Sequence, residues 1–418
     1  MGLILASPRQ PVMFSFLKNI FDRSSPKKKF ADLLVAEIRR RGLTFPLAFD
    51  EKEFKLVSKE PQCVIYLGNM HAHYLAATTP EAKARVIAES ASGCFPPVEE
   101  EDDEDFASVS PRLMVGFREK CYVEFTKLLM QMEGVESSPM ETRDFTETLS
   151  LCVAIDYPDR MAFVGDKHLK AWGVTFDEAF TVARRNLVER TGPFELLQPG
   201  LYRGPWRDNY VPARLVLTEM IRELIIDGHP VAMAPNRDTL FITGSQDIEG
   251  QRIMLKLTRE ALKEPRPMSP RPLILKDGVW SNYFPQHDTP VADDYTMLWI
   301  ESTGQDYAEQ KAHLENFFEK KGIDIYVASF GTIQDKETKK IETYCVWSRD
   351  VEALLPKTDV IIFHDHTRPE DQQMAAKVPW KEAQEKLGGM LQLQDLYPAR
   401  FKVTSFPDVE TLKSLDRG

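Results

Sequence analysis

Arg237 stands in a Pro235-Asn236-Arg237-Asp238 run between two apolar segments, Val231 to Ala234 and Thr239 to Thr243, a pattern that reads as strand, turn and strand. A guanidinium at a hairpin tip is placed to take a carboxylate or phosphate through two parallel hydrogen bonds, and loops carry function more often than the strands they join. The competing explanation is local. Pro, Asn and Asp form turns readily, and Arg237 has Asp238 and Asp247 as internal partners. A second cluster lies upstream, where Tyr202, Trp206, Arg207, Asp208, Tyr210 and Arg214 gather aromatic and charged side chains in a loop that leads into a helix. Trp, Tyr and Arg are the residues that interfaces favour; the plain alternative is that Trp206 and Tyr210 cover a core beneath the loop.

Other chemistry is thinner. His71 with His73 and His364 with His366 are the paired histidines, and in an extended chain each pair projects from one face. With Asp365, or with Asp288 beside His287, either pair makes an imaginable two-histidine, one-carboxylate metal site. The pairs fall in different expected domains, so no metal is assigned. The chain has no G-x-S-x-G elbow, no G-x-x-x-x-G-K-[ST] phosphate loop and no H-E-x-x-H. Gly244-Ser245 follows a strand without the glycines that turn a nucleophile outward, and Cys345 alternates inside an apolar strand, where a cysteine packs as a small hydrophobe. The expected contacts to a ligand or partner are therefore Tyr202, Trp206, Arg207, Asp208, Tyr210, Arg214, Asn236, Arg237 and Asp238, with no cofactor and no catalytic residue named.

The elements that position them follow from periodicity and punctuation. Phe30, Leu33, Leu34 and Ile38 have helical spacing. Residues 54–57 and 63–67 read as strands around a Lys59-Glu60-Pro61 turn, and Thr78 or Thr79 caps a helix that opens on Pro80 and runs to about Ser90. Seven consecutive acidic residues, 99 to 105, predict a solvated loop, since they lack the alternating ligand spacing of a calcium loop. Strand then helix is expected over 113–132, a strand over 146–156 with a hairpin partner at 160–164, and a helix from a Thr175/Glu178 capping box to about Glu189. Helices follow at 213–226 and 248–262, and a strand at 273–276. The Gln286-His287-Asp288-Thr289-Pro290 stretch reads as a domain boundary. Beyond it the expected order is helix 305–320, strands 324–332 and 341–348, a short helix, strand 359–364 and helix 380–387.

A chain of 418 residues is longer than one core usually organises, and the sum of these elements is an α+β fold in two to three domains, with helices on short mixed or antiparallel sheets. The expected parts are a tail over 1–29, a region over 30–145 that holds an acidic loop at 96–110, a central domain over 146–285 and a C-terminal domain over 291–418. A net charge of −11 repels phosphate backbones and anionic lipid surfaces, so nucleic acid and membrane are not expected partners. Lys27 to Lys29 and Arg39 to Arg41 read as solvated basic residues. Five widely spaced cysteines without a C-x-x-C pair suit free thiols in a reducing cytoplasm. No apolar run reaches the ~20 residues that span a bilayer, and residues 1–6 make a poor signal peptide, with Met13 an alternative start. Met13 to Phe21 reads as an amphipathic terminus before Lys27 to Lys29.

The order of motifs in the middle of the chain carries a resemblance. Thr146-Glu147-Thr148-Leu149 to Asp156 comes first, then Trp172-Gly173-Val174-Thr175-Phe176-Asp177-Glu178-Ala179 and Arg185-Asn186-Leu187. Asp208-Asn209-Tyr210-Val211-Pro212-Ala213-Arg214-Leu215 follows, and then Val231 to Thr243 with its turn. Together these resemble the YtpQ-like family of bacterial proteins, a domain of unknown function (family 1444), over about residues 30–285. The resemblance implies a bacterial cytoplasmic protein and an α+β fold, and it brings no activity with it. The expected role is a non-catalytic binding or regulatory protein with an unknown protein partner or small ligand. A metal-dependent hydrolase with dispersed His and Asp ligands and a sensor of a small anionic ligand are the alternatives.

Overall fold

The computed structural model describes residues 25–43, 45–51, 54–59, 62–92, 104–133, 140–157, 161–264, 266–286, 288–334 and 341–415. They fall into two compact units, one within residues 1–101 and one that starts at Asp102 and runs to the end of the chain, leaving out 158–160. Helices and several small mixed or antiparallel sheets make the fold α+β.

In the first unit, α1 (Pro26–Arg40) is opened by Ser25, whose side chain accepts from the Lys28 N–H, with Pro26 in the first turn. This is the Pro-at-N1 start that a missing donor permits. The helix therefore takes in residues 26–29, which the sequence assigns to a tail. Its buried Phe30, Ala31, Leu34 and Ile38 meet Leu56, Ile65 and Leu67 from an antiparallel meander, β1 (Ala48–Asp50), β2 (Lys55–Lys59) and β3 (Gln62–Tyr66). Two helices, α2 (Gly68–Ala76) and α3 (Pro80–Ser92), complete the core with Ile87 and Ala91, and Thr79 Oγ1 caps α3 by accepting from Ala82 N.

The second unit begins with α4 (Phe106–Val109), which Asp105 caps; of the acidic run, residues 99–103 lie outside the described residues. The strand β4 (Leu113–Glu119) leads into α5 (Lys120–Glu133), and β6 (Leu149–Asp156) pairs with β4, with β5 (Thr142–Asp144) and with β7 (Met161–Phe163). The β4–β6 ladder runs from Leu113↔Ile155 to Glu119↔Leu149. That ladder crosses the expected 145/146 boundary, so the compact division falls at 101/102 instead. After α6 (Asp166–Trp172), α7 (Phe176–Glu189) starts at the Thr175/Glu178 capping box and lays Phe176, Ala179, Ala183 and Leu187 into the core beside β4 and β6.

Next comes a six-stranded antiparallel sheet built from β8 (Glu195–Gln198), β9 (Leu201–Arg203), β10 (Pro230–Asn236), β11 (Thr239–Gly244), β12 (Leu273–Lys276) and β13 (Val279–Asn282), in the order β13-β12-β10-β11-β9-β8. A short α8 (Thr218–Arg222) and the longer α9 (Ile248–Ala261) interrupt the strands. The expected helix over 213–226 is thus a 3-10 turn, Val211–Val216, followed by α8. The Trp280 indole takes the Leu215 carbonyl at 2.8 Å, and Leu217 leaves helical geometry at ψ 59°. Side chains alternate along β10: Ala232 and Ala234 join the core of the β4–β6 sheet, while Val231 and Met233 pack with Met254 and Leu255 of α9.

The 286–290 stretch separates no core. Following it, α10 (Ala292–Lys321) is one 30-residue helix whose Tyr295 and Leu298 pack on the six-stranded sheet's second face, and whose Leu314 joins Val327 and Leu354 further on. Two four-stranded sheets follow. Their strands are β14 (Tyr326–Val327), β15 (Gly331–Gln334), β16 (Ile341–Ser348), β17 (Ala353–Pro356), β18 (Val360–His364), β19 (Met374–Pro379), β20 (Gln392–Leu393) and β21 (Arg400–Val403), accompanied by α11 (Trp380–Leu387) and α12 (Val409–Leu415). The expected single strand over 324–332 is two pieces, and the expected short helix after Ser348 is β17, paired with β14 and β21. Trp347, Phe363, Val378, Trp380 and Val403 form this core, with buried Cys345 among them. No helix among the described residues is long and apolar enough to cross a membrane.

Candidate functional site

The 203–209 loop and the 235–238 turn, singled out separately in the sequence, meet around one cleft of about 470 Å³, lined by Arg203, Trp206, Arg207, Asn209, Asp238 and Arg266 among others. The loop is held from behind. Arg214 is fully buried and donates to both carboxylate oxygens of Asp208, at 2.9 and 2.7 Å, to Tyr210 O, to Arg190 O and to Thr191 Oγ1. Its guanidinium also lies 4.5 Å from the centre of the Trp206 ring, which meets Phe194 edge-on at 5.0 Å. Gly204 makes this fold-back possible, because a Cβ there would come within 2.8 Å of Trp206 Cζ3 and 2.9 Å of Val211 Cγ1.

The hairpin tip is fixed in the same way. Asn236 is buried, donates to Ala261 O at 2.8 Å and accepts from the Asp238 N–H at 3.0 Å. Segment 266–268 runs alongside, with Met268 N on Pro235 O and Arg237 N on Arg266 O. It thereby sets Arg266 between Asn209, at 2.6 Å, and Asp238, at 2.5 Å.

Behind Asn209 lies a crevice of about 10 Å³, lined by Arg118, Arg237, Tyr210, Phe117 and Met161 among others. That is room for a single water-sized group. Arg118 is 6% exposed; it donates to Phe117 O at 2.6 Å, and its guanidinium lies 4.5 Å from the centre of the Phe163 ring. Its Nε is buried without an acceptor, and so is the Nε of Arg237, which is itself mostly buried. Burial, and then the like charge of Arg118, push the Arg237 guanidinium down to about 10.

The other buried arginines among the described residues are compensated. Arg214 has Asp208, and Arg271 has Asp306. Arg400, fully buried, satisfies its N–H groups on Gln310 Oε1 and on the carbonyls of Ala328, Leu354 and Tyr307. Arg118 and Arg237 form no ion pair among the described residues. Asp156, which the Tyr210 hydroxyl reaches at 3.1 Å, is already held by Arg190 at 2.7 Å. Removing a charge from water without a partner is costly, so this pair marks a place where the chain by itself leaves the electrostatics open.

The residues named from sequence thus divide. Arg207, exposed, Trp206 and Asp238 line the cleft, and Arg237 and Tyr210 line the crevice. Tyr210, Asp208, Arg214 and Asn236 are turned inward as supports, and the Tyr202 hydroxyl donates to Ile225 O at 3.3 Å. Arg118, Asn209 and Arg266 were not named. The signal for Arg118 was an arginine inside the apolar run Leu113-Met114-Val115-Gly116-Phe117; Asn209 and Arg266 both take positive φ, 64° and 61°, which no local pattern announces.

The histidine pairs are placed elsewhere. His71 and His73 lie on α2 rather than in an extended segment, and His71 packs against Phe30 and Phe54. His364 shares a hydrogen bond with Gln373, and Asp365 is taken by Arg349, Arg368 and Thr367. His287 lies outside the described residues. Among those described, no group of three or more His, Cys, Asp or Glu side chains is close enough to hold a metal ion. No protein-family model matches the chain, and no curated protein or solved structure matches it.

Proposed function

We propose that this chain is a non-catalytic binding protein for a small anionic molecule, taken up in the cleft between the 203–209 loop and the 238–239 hairpin end. What supports the reading is the unpaired guanidinium couple Arg118 and Arg237 beside that cleft. An anion supplies the acceptor that the two Nε atoms lack and the countercharge that neither guanidinium has among the described residues, and a charge-assisted hydrogen bond is stronger than a neutral one. The inward orientation of Tyr210, Asp208 and Arg214 favours a small ligand over a protein partner docked on the same loop. On the order of motifs alone, we also propose membership of the YtpQ-like family, and with it a bacterial cytoplasmic setting.

The test is thermal unfolding of the full chain in phosphate against chloride at matched ionic strength. A ligand at a hundred times its Kd adds about 2.7 kcal/mol to stability, so phosphate should raise Tm in the wild type. Arg237→Met should match or exceed the wild type in chloride, because an uncompensated charge has been removed, and should lose the response to phosphate. An undiminished response in the variant would count against the site.

A further inference from the structure

We infer that the ligand carries its negative charge on one compact, doubly ionised oxyanion head, a phosphate monoester, whose organic body lies in the cleft against Trp206. This deepens the anion-binding reading and rests on it.

The charge around the site sets the first condition. Among the described residues, five arginines, Arg118, Arg203, Arg207, Arg237 and Arg266, border the cleft and crevice against two carboxylates, Glu195 and Asp238. Arg203 pairs with Glu195 and Arg266 with Asp238, which leaves Arg118, Arg237 and the exposed Arg207 without an ion pair among those residues. A monoanion leaves at least one buried guanidinium unmatched; a dianion matches both.

The shape sets the second. The crevice admits one water-sized group, so one oxygen of the ligand enters and both guanidiniums are served from a single head. A dicarboxylate, with its charges on separate carbons, cannot place both there. The third condition is the chemistry of the walls. Among the described residues no lysine or histidine lines either space, and the forked guanidinium matches a phosphate's oxygens geometrically. The adjoining cleft, at about 470 Å³ and walled by Trp206 and Pro205, has the size of ordinary organic-ligand pockets. Inorganic phosphate alone leaves it unfilled.

Titration calorimetry on the full chain with phenyl phosphate, inorganic phosphate and succinate tests this. Phenyl phosphate should bind one to one, at least tenfold more tightly than inorganic phosphate. Its affinity should fall several-fold or more from pH 7.5 to 5, because the second ionisation of a phosphate ester lies near 6. Glu119, whose charge reaches Arg237, takes up a proton over part of that range and acts in the opposite sense, so a fall belongs to the ligand. Arg118→Met and Arg237→Met should each weaken phenyl phosphate by 30-fold or more. Arg207→Ala, at an exposed position that leaves the fold alone, should weaken it several-fold. Succinate binding more tightly than phenyl phosphate, with the preference lost in Arg237→Met, would overturn the phosphate inference and leave the anion-binding reading standing. Absence of binding by all three, or equal binding in the variants, would overturn both.

Discussion

Arg118 and Glu119 are neighbours on β4, and each has an unusual environment. Glu119 makes no ion pair among the described residues, and burial, followed by the nearby Asp306 carboxylate, raises its acid to about 7. Arg271 and Arg237 pull the other way, and Glu309 adds to the rise. The folded chain therefore holds the Glu119 proton at pH values where the unfolded chain has released it. Stability should decline as pH rises from about 4.5 to about 7 and be flat for this group above that. Glu119→Gln should remove that slope and, at pH 8, be more stable by about 3 kcal/mol, as read by urea unfolding at pH 5 and pH 8. An unchanged slope in the variant would show that the carboxyl is solvated. Arg237 was legible because it stands among turn residues. Arg118 was not, since a strand reading absorbs one arginine into an apolar run without asking where its charge goes.

At the scale of elements, the cleft is only as well formed as the 203–216 segment. Asp208 is the sole carboxylate partner of buried Arg214 among the described residues, so Asp208→Ala leaves a buried charge unpaired and should cost about 3–5 kcal/mol, measured by chemical denaturation. Gly204→Ala forces Trp206 and Val211 apart; it should weaken anion binding tenfold or more while the far-UV spectrum stays native. Elements with strong local chemistry were legible: the capping box at Thr175 and the β10–β11 hairpin both follow from a few adjacent residues, whereas the Ser25-Pro26 start of α1 was read as a break before the helix. The 213–226 helix failed because its backbone is claimed by Trp280, some 65 residues away. The second strand of the β12–β13 hairpin was missed, although Asp277-Gly278, both at positive φ, is the dipeptide that such turns favour.

For the whole molecule, the sequence supplied the α+β class, while the compact division falls at 101/102 and at neither of the two expected boundaries. Composition changes at the acidic run and at the 265–290 prolines were visible, yet nothing local reports that residues 113–119 pair with 149–156, and that register decides which residues share a core. The first unit has a core of its own around Leu56, Leu34 and Ile38. Leu56→Ala should therefore cost that unit about 2–5 kcal/mol while leaving the phosphate response of the second unit intact, seen by calorimetry as a lowered transition that phosphate does not restore. Loss of the response in this variant would mean that the site depends on the first unit.

The long helix α10 adds a constraint of another kind. Its Tyr295 and Leu298 are seated on the six-stranded sheet, while its Tyr307 and Gln310 hold the 398–399 backbone and Leu314 fills a separate cluster. One residue inserted near Gly304 would rotate everything downstream by about 100°, so the first set or the second could keep its seat, but not both. The number of residues between Leu298 and Tyr307 is thus fixed as firmly as the number of teeth on a gear.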